Sequence, residues 1–476
     1  MNAIITRFAP SPTGNLHIGG VRTALINYIV THQFKKKFSD SKFLLRIEDT
    51  DKQRSKKEFI NSIVKGLEWM GIEWDDEIYF QSKRILRHQE IAIKLLNENK
   101  AYKCICTKKQ IDERREKNLI ENKNIKRLCI NCQFDETIQK LDSGYCIRLK
   151  IPNDGNIEVN DIIQGKVIVD NKELDNFIIL RNDKTPTYML SVVVDDHDMN
   201  VNVIIRGNDH LNNAFKQNYL YKNLDWKIPQ YAHLPLIHGQ DGTKLSKRHG
   251  AVNINEFNTH GYIPKAIINN LILLGWSPKK EKEFIELEEI IDKFDIKSLT
   301  KSSSIFDYNK LDFLNNYYLQ KNENYQYFIS FINTDPKIKK YINLDKNKIK
   351  NIYFYHNKKI KKLSEYKDII SIFFDQSLVN KKNKIFDDLF NNLIKKFIID
   401  LEKVENWNIN NIEIILQNFI KNEKITFPSF AKPLRFILTN NEDGISISEI
   451  MYILSKHDTF LRINNYINNI NKNFKK

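Results

Sequence analysis

Acidic residues run short in this chain, cysteine is scarce, and no apolar stretch is long. Lys and Arg number 75 against 59 Asp and Glu, a formal net charge of +16. Five cysteines in 476 residues make no disulfide framework, which excludes a secreted disulfide scaffold and fits a reducing cytoplasm. No apolar run approaches the roughly 18 residues of a membrane span. The opening Met1 to Phe8 has neither the basic segment nor the apolar core of a signal peptide. A cytoplasmic protein with no membrane attachment is expected. Walker-type phosphate loops and Gly-x-Gly-x-x-Gly fingerprints are both missing, so any use of ATP requires another apparatus. Glycine is absent from most of the second half. Fourteen of the 15 glycines lie at or before Gly275, and only Gly444 follows.

Glycine serves tight turns and close backbone approach to ligands, whereas helix interiors avoid it. The boundary at Gly275 therefore predicts an α/β part followed by a mostly helical one. Hydrophobic residues make up 41% of the chain, enough for a sizeable core. At roughly 100–200 residues per domain the length suggests three or four domains. Residues 301–476 carry 29 Lys and Arg against 19 Asp and Glu, so +10 of the excess sits in the helical part. A basic surface there suits a polyanion, although a genome-wide bias towards Lys, Asn and Ile would produce the same charge with no partner. Within this part, Ile385, Leu389, Leu393 and Phe397 recur at four-residue spacing and predict one apolar helix face.

Four apolar runs read as strands: Ala3-Ile4-Ile5, Phe43 to Ile47, Phe177 to Leu180 and Val201 to Ile205. The first leads into Arg7-Phe8-Ala9-Pro10-Ser11-Pro12-Thr13-Gly14 and then Leu16-His17-Ile18-Gly19-Gly20. Leu25, Tyr28, Ile29 and His32 then share a helical face, which places the two glycines where a loop enters a helix. Backbone N–H groups at such a terminus favour phosphate, and residues without Cβ let a nucleotide come close. His17 adds a hydrogen-bond donor, though a plain turn explains these four residues as well. A second glycine-bracketed segment, Gly239 to Gly250, is strongly cationic. It is either a solvated surface loop or a mobile clamp for a developing pyrophosphate. Arg7, Glu48 and Arg206 each stand at the end of an apolar strand. In an open parallel sheet, ligands bind beyond the strands' carboxyl ends. Two arginines and a glutamate there match a ligand bearing carboxylates and an ammonium group, namely an amino acid.

Taken together and in order, these segments resemble the class I glutamyl-tRNA synthetases of the bacterial type. The resemblance runs through Arg7 to Gly20, Arg46 to Asp51, Thr185 to Tyr188, Val194 to His197, Ile205 to His210 and Lys244 to Arg248. It continues through Leu273 to Ser277, Phe306 to Leu314 and Pro433 to Thr439, so it spans nearly the whole chain. It implies an α/β, Rossmann-like catalytic domain with an inserted connective subdomain, followed by an all-α anticodon-binding region. The implied boundaries are 1–100 and 181–245 for the catalytic halves and 101–180 for the insertion. A stem-contact domain with the lysine loop would span 246–320, and the anticodon-binding domain 321–476.

The reaction implied by the resemblance is ATP-dependent activation of L-glutamate to glutamyl-adenylate, then transfer to the 3′ end of tRNA(Glu). Whether tRNA(Gln) is also charged stays open. A monomer is expected. No covalent intermediate is needed, in agreement with the lack of an obvious Ser-His-Asp or Cys-His nucleophile. By position, His17, Gly19 and Gly20 belong to the ATP motif, and Lys244, Ser246 and Lys247 to the pyrophosphate-facing loop. Arg7, Ser11, Glu48, Tyr188 and Arg206 fall at the glutamate-binding positions. Arg435 is a candidate tRNA contact. Mg²⁺ would accompany ATP, held largely by phosphates and water. Gly20 replaces the second histidine of many class I enzymes, and Leu245 and Arg248 depart from the general loop motif while keeping its lysines.

Cys104-x-Cys106 and Cys129-x-x-Cys132 could set four thiolates around a structural Zn²⁺, with Cys146 nearby in sequence. The Cys-x-Cys gap is tighter than is usual at tetrahedral sites, and reduced cysteines in a reducing cell are the alternative. Other functions compete with charging of tRNA by glutamate. A degenerate synthetase kept as an RNA-binding protein would have damaged positions, yet His17, Glu48, Arg206 and Lys247 are intact. A shorter paralogue that modifies a tRNA base would lack residues 301–476. A glutaminyl enzyme fits Gly19-Gly20 and Arg46 to Asp51 less well.

Overall fold

The computed structural model describes residues 3–51, 53–129, 131–246, 249–250, 253–278, 282–379 and 384–473. The chain divides into two compact units, Met1–Phe257 with Ile268–Asp307, and Asn258–Ile267 with Tyr308–Lys476.

The first unit is built on parallel strands. β1 (Ile5–Phe8), β2 (Lys42–Ile47) and β3 (Asp75–Phe80) pair in parallel in that order. The run Phe43-Leu44-Leu45 is buried, as befits a central strand covered on both faces. A second sheet has the order β7 (Gly165–Asp170), β6 (Asn156–Asp161), β10 (Gln230–Leu234), β9 (Val203–Gly207), parallel except for the β6–β7 pair. Asn202 stitches the two together. Its backbone N–H donates to the Ile5 carbonyl at 3.1 Å, and its Oδ1 accepts from Ile5 N–H at 2.8 Å. β1 therefore stands beside β9, with strands extending away on both sides. That is the switch point at which open α/β sheets bind ligands.

The helix Ile18–Lys35 returns across this junction, burying Ile18, Val21, Ala24, Leu25 and Ile29. Asn27 Nδ2 donates to the Ile205 carbonyl at 3.1 Å, and the Thr6 and Thr31 hydroxyls meet at 2.7 Å. β4 (Ala101–Cys104), β5 (Cys146–Leu149) and β8 (Ile178–Leu180) form a separate antiparallel sheet. A two-stranded pair, β11 (Ile237–His238) and β12 (Ser304–Ile305), completes the strands among the described residues. The first strand begins later than the hydrophobic run suggests and carries through Phe8, because its pairing with β2 continues to the Phe8–Leu45 register. Arg7 thus lies inside the strand and is buried, not beyond its end.

The second unit is helical throughout its described residues. Side-chain caps start its helices: Asp335 accepts from Lys337 N–H, Asp345 from Lys348 N–H, Asp387 from Phe390 N–H and Asn408 from Asn411 N–H. The helix Phe427–Thr439 ends on Asn440 in the left-handed conformation, φ 57°. Aromatic rings fill the interior, with Phe397, Phe419 and Phe430 in mutual contact and Phe390 against Phe430. The stripe expected from four-residue spacing is half right. Leu393 and Phe397 are buried, but Leu389 is 64% exposed, and Ile385 is 50% exposed and precedes the helix Asp388–Glu402. A repeat of four drifts about 40° per step around a 3.6-residue helix, so the true inner face is Phe390, Leu393, Ile394, Phe397 and Leu401.

Candidate active site

A cavity of about 710 Å³ opens where β1, β2, β9 and β10 end, wholly within the first unit. Arg7, Ser11, His17, Gly19, Gly20, Glu48, Tyr188, Arg206 and Lys244 all line it. Residues as far apart in sequence as 7 and 244 therefore converge on one space. The segment after β1 is pinned to the end of β2, because Glu48 N–H donates to the Pro10 carbonyl at 3.0 Å.

His17 caps the helix Ile18–Lys35, its Nδ1 accepting from Gly19 N–H at 3.1 Å. Accepting at Nδ1 leaves the proton of the neutral ring on Nε2. Burial, followed by the nearby Lys244 ammonium, lowers the His17 pKa and favours that neutral form. A Cβ at Gly20 would approach Leu16 Cδ1 to 3.2 Å, close enough that the leucine side chain would have to give way by a few tenths of an ångström. The helix N-terminus and one imidazole N–H are thus available to a phosphate.

Opposite lies a buried network of charges. Asp196 receives Arg7 Nε at 3.0 Å and Arg7 Nη2 at 3.3 Å, and also Arg46 Nη1 at 2.6 Å. Arg46 Nη2 reaches Glu48 Oε1 at 3.3 Å. Arg46 and Asp196 are fully buried. Burial opposes ionisation of Asp196, but the Arg46 and Arg7 guanidiniums hold its pKa below the ordinary value. Burial pushes the Glu48 carboxyl upwards against the pull of the same two arginines. Arg46 and Asp196 neutralise each other. With Lys244 set against Asp209, Arg7 and Arg206 then remain as two guanidiniums beside the carboxyl group of Glu48.

Tyr188 and His210 complete this wall, with Tyr188 Oη 3.2 Å from His210 Nδ1. Burial, then Arg206, lowers the His210 pKa to about 4, so its ring is neutral. Arg206 Nη2 donates to the His210 carbonyl at 3.2 Å, and Nε donates to His233 Nε2 at 3.1 Å. Its Nη1 is buried without a protein partner.

The cationic segment forms a hairpin at the cavity's edge. Gly239 N–H donates to the Thr243 carbonyl, Leu245 N–H donates to the Ile237 carbonyl, and Gly242 turns with φ 74°. Lys244 is largely exposed, with its ammonium 3.4 Å from Asp209 Oδ2. Ser246 does not line the cavity, and its N–H donates to His249 Nδ1 at 3.0 Å. Lys247 and its neighbour Arg248 lie outside the described residues.

The four cysteines converge elsewhere in the same unit. Their sulfurs all lie within 4.8 Å of one another, Cys104 and Cys129 at 3.0 Å and Cys106 and Cys132 at 3.5 Å. The tight Cys-x-Cys gap is no obstacle, since residues two apart on leaving a strand share a face. Arg148 Nε points at Cys104 Sγ at 3.3 Å and Arg114 Nη1 at Cys106 Sγ at 3.4 Å, as donors do to thiolates. Tetrahedral sulfur ligation at about 2.3 Å needs S···S separations near 3.8 Å, so the donor set fits Zn²⁺. Cys146 pairs with Cys104 across the β4–β5 ladder and stays outside the four.

Arg435 spends its guanidinium locally, Nη1 on the Glu442 carbonyl at 2.7 Å and Nε on the Ile445 carbonyl at 3.2 Å. Asp196, the shared counter-ion, and Asp161 and His233 behind Arg206 are not among the site residues the sequence predicts. Asp196 and His210 lie in segments that resemble the synthetases, which was the available signal. Asp161 and His233 carried none.

Residues 3–313 match the profile of the class I tRNA synthetase (E and Q) catalytic domain, and residues 325–467 match that of an anticodon binding domain. A glutamate–tRNA ligase of Nitrobacter hamburgensis is 37% identical over 471 residues, covering 97% of this chain and 98% of that protein. Glutamate–tRNA ligase 2 of Ehrlichia chaffeensis is 40% identical over 482 residues, covering 98% and 99%. Among solved structures, a glutamate tRNA ligase from Elizabethkingia meningosepticum, in complex with its amino acid, superposes with a TM-score of 0.82 at 27% identity, covering 98% of this chain and 99% of that one.

Proposed function

This chain belongs to the class I tRNA synthetases for glutamate and glutamine, and from that premise we propose that its cavity joins L-glutamate to ATP and then to tRNA(Glu). The observation that carries the choice of amino acid is the charge pattern of the wall. Of the charged side chains lining the cavity, Arg22 is committed to the Pro235 and Leu274 carbonyls and Lys244 to Asp209, which leaves the Arg7 and Arg206 guanidiniums and the Glu48 carboxyl to mirror the two carboxylates and one ammonium group of glutamate. Glu48 meets the ammonium, Arg7 and Arg206 take the carboxylates, and Tyr188 and Ser11 close the pocket. Glutamine would leave one guanidinium facing a neutral amide, a cost of several kcal/mol for a desolvated charge.

In the first step a glutamate carboxylate oxygen attacks the α-phosphorus of ATP. The bond to the bridging oxygen breaks, and pyrophosphate leaves. His17 donates its Nε2 proton in a hydrogen bond to phosphate oxygen, while Gly19 and Gly20 let the nucleotide approach the helix terminus. Lys244 and Lys247 stabilise the charge that accumulates on the departing pyrophosphate, with Ser246 shaping their loop. Mg²⁺ enters with ATP. In the second step a hydroxyl of the terminal ribose attacks the acyl carbonyl, and AMP leaves. No protein nucleophile takes part, so rate enhancement rests on orientation and electrostatics.

The stretch 101–180 serves the acceptor end, 246–320 the stem and 321–476 the anticodon, with Arg435 holding a turn in that last region. Cys104, Cys106, Cys129 and Cys132 hold a structural Zn²⁺ that fixes the fold around β4. Replacement of Arg206 by Ala tests the amino-acid assignment. The KM for glutamate should rise by about 100-fold, with the KM for ATP within a factor of about three. Equal changes in both would refute the assignment of Arg206.

A further inference from the structure

We propose that Asp161 and His233 form a relay that holds the Arg206 guanidinium in its glutamate-receiving orientation, making both of them positioning residues for the amino-acid site. The inference rests on the assignment of Arg206 to glutamate binding.

Strand register sets up the contact. Arg206 and His233 are direct partners on β9 and β10, and Asp161, the last residue of β6, pairs with Tyr231 on the far side of β10. His233 is fully buried, Asp161 and Arg206 nearly so. His233 Nδ1 lies 2.6 Å from Asp161 Oδ2, and His233 Nε2 accepts from Arg206 Nε at 3.1 Å. The two neighbours dictate the protonation of the ring. An arginine Nε–H only donates, so His233 Nε2 must carry a lone pair. The proton then sits on Nδ1 and points at the carboxylate. A doubly protonated ring would set an N–H against an N–H.

Asp161 is locked as well. Its Oδ1 accepts from Ile163 N–H at 2.9 Å and from Gln164 N–H at 2.8 Å, and the His233 backbone N–H reaches Oδ1 at 3.2 Å and Oδ2 at 3.0 Å, so the carboxylate has no freedom to turn. The other groups facing the ring from neighbouring elements are Arg7, His210 and the stacked Tyr231. None of these offers a second acceptor for Arg206 Nε. With Nε on His233 and Nη2 on the His210 carbonyl, the plane of the guanidinium is determined, and Nη1 is the nitrogen left for a ligand. The Asp161 carboxylate alone would fix a proton on Nδ1 but would leave the ring free to take a second one on Nε2. Presenting a lone pair to Arg206 forbids that second proton.

Asp161→Asn separates these roles because it keeps shape and volume. The amide oxygen must stay on Ile163 and Gln164 N–H, which turns the amide NH₂ towards His233. Nδ1 then becomes the acceptor, the proton moves to Nε2, and Arg206 Nε meets a donor. In charging assays with the full-length protein and tRNA(Glu), Asp161→Asn should raise the KM for glutamate about 10- to 100-fold and leave the KM for ATP within about two-fold. His233→Gln, which can accept from Arg206 and donate to Asp161, should recover most of the affinity that His233→Leu loses. Thermal unfolding verifies that each variant is folded. A folded Asp161→Asn variant with an unchanged KM for glutamate, or with both KM values raised equally, overturns the proposal. So does His233→Gln performing no better than His233→Leu. Wild type without glutamate-dependent charging overturns the parent reading and this inference together. Normal wild-type charging beside an unaffected Asp161→Asn variant overturns this inference alone.

Discussion

Arg46 and Asp196 are the residues whose burial most needs a reason. Isolated burial of either ion would cost many kcal/mol, and even a well-made buried pair is often no more stabilising than apolar side chains of the same volume. Stability alone therefore does not account for them. What they do is hold Arg7 by two of its donors and Glu48 by one acceptor, at 3.0–3.3 Å. The ligand-facing charges are thus oriented before the ligand arrives, so binding does not bear the cost of ordering them. The lysines of the hairpin work differently. Lys244 is exposed, with Asp209 as its ion-pair partner and His17 nearby among the described residues, so under the proposed function its ammonium can shift towards pyrophosphate as charge develops there. Lys247→Ala should slow pyrophosphate exchange, measured with tRNA present, by about 100- to 1,000-fold, while tRNA affinity changes by less than about three-fold. Normal exchange in the variant would contradict the role given to Lys247.

At the level of elements, legibility followed the range of the interaction. Arg7, Glu48 and Arg206 could be found in sequence because each sits at an apolar strand, and a parallel sheet brings strand ends together. His17 and the glycines could be found because a helix start is a local event. Asp161 and His233 could not, since 72 residues separate them and only the order β6–β10–β9 brings them to Arg206. The helical stripe failed for a geometric reason: a spacing of four leaves the 3.6-residue face, and Leu389 ends in solvent. The cysteine cluster was half legible, as two pairs whose meeting depends on Cys129 and Cys132 packing against Tyr102 and Cys104 of β4. One zinc per chain should be found by elemental analysis of protein purified without added metal. Cys129→Ser should lose the zinc, with faster amide exchange across residues 101–141 and slower exchange retained in β1 and β9. Stoichiometric absence of metal from the wild type would end the zinc assignment.

For the whole molecule, buried neutral histidines govern the response to acid. Burial lowers the pKa of His356 to about 4 in the helical unit and of His210 to about 4 in the α/β unit, and His17 and His233 shift the same way. Above pH 6.5 these rings are neutral whether folded or not. As pH falls from 6.5 towards 4, the unfolded chain takes up protons that the folded chain refuses, so stability is lost. His356 alone contributes about 3 kcal/mol once that interval is crossed. His32 and His197 shift the same way as these four, and Glu48, raised by burial, works in the opposite sense. The urea midpoint should therefore be lower at pH 5 than at pH 7, and an equal or higher midpoint at pH 5 would contradict this.

No helix among the described residues is long and apolar enough to cross a membrane, and the net charge of +16 suits the polyanionic partner of the proposed function. The two units carry different duties, amino-acid and nucleotide chemistry in the first and anticodon recognition in the second. The central claim is that the charge pattern of Arg7, Glu48 and Arg206 selects glutamate for attachment to tRNA. Charging of purified tRNA(Glu) with radiolabelled glutamate or glutamine, in the presence of ATP and Mg²⁺, tests it most directly. ATP-dependent esterification of glutamate and none of glutamine is the expected result; charging by glutamine, or no charging by glutamate, would contradict it.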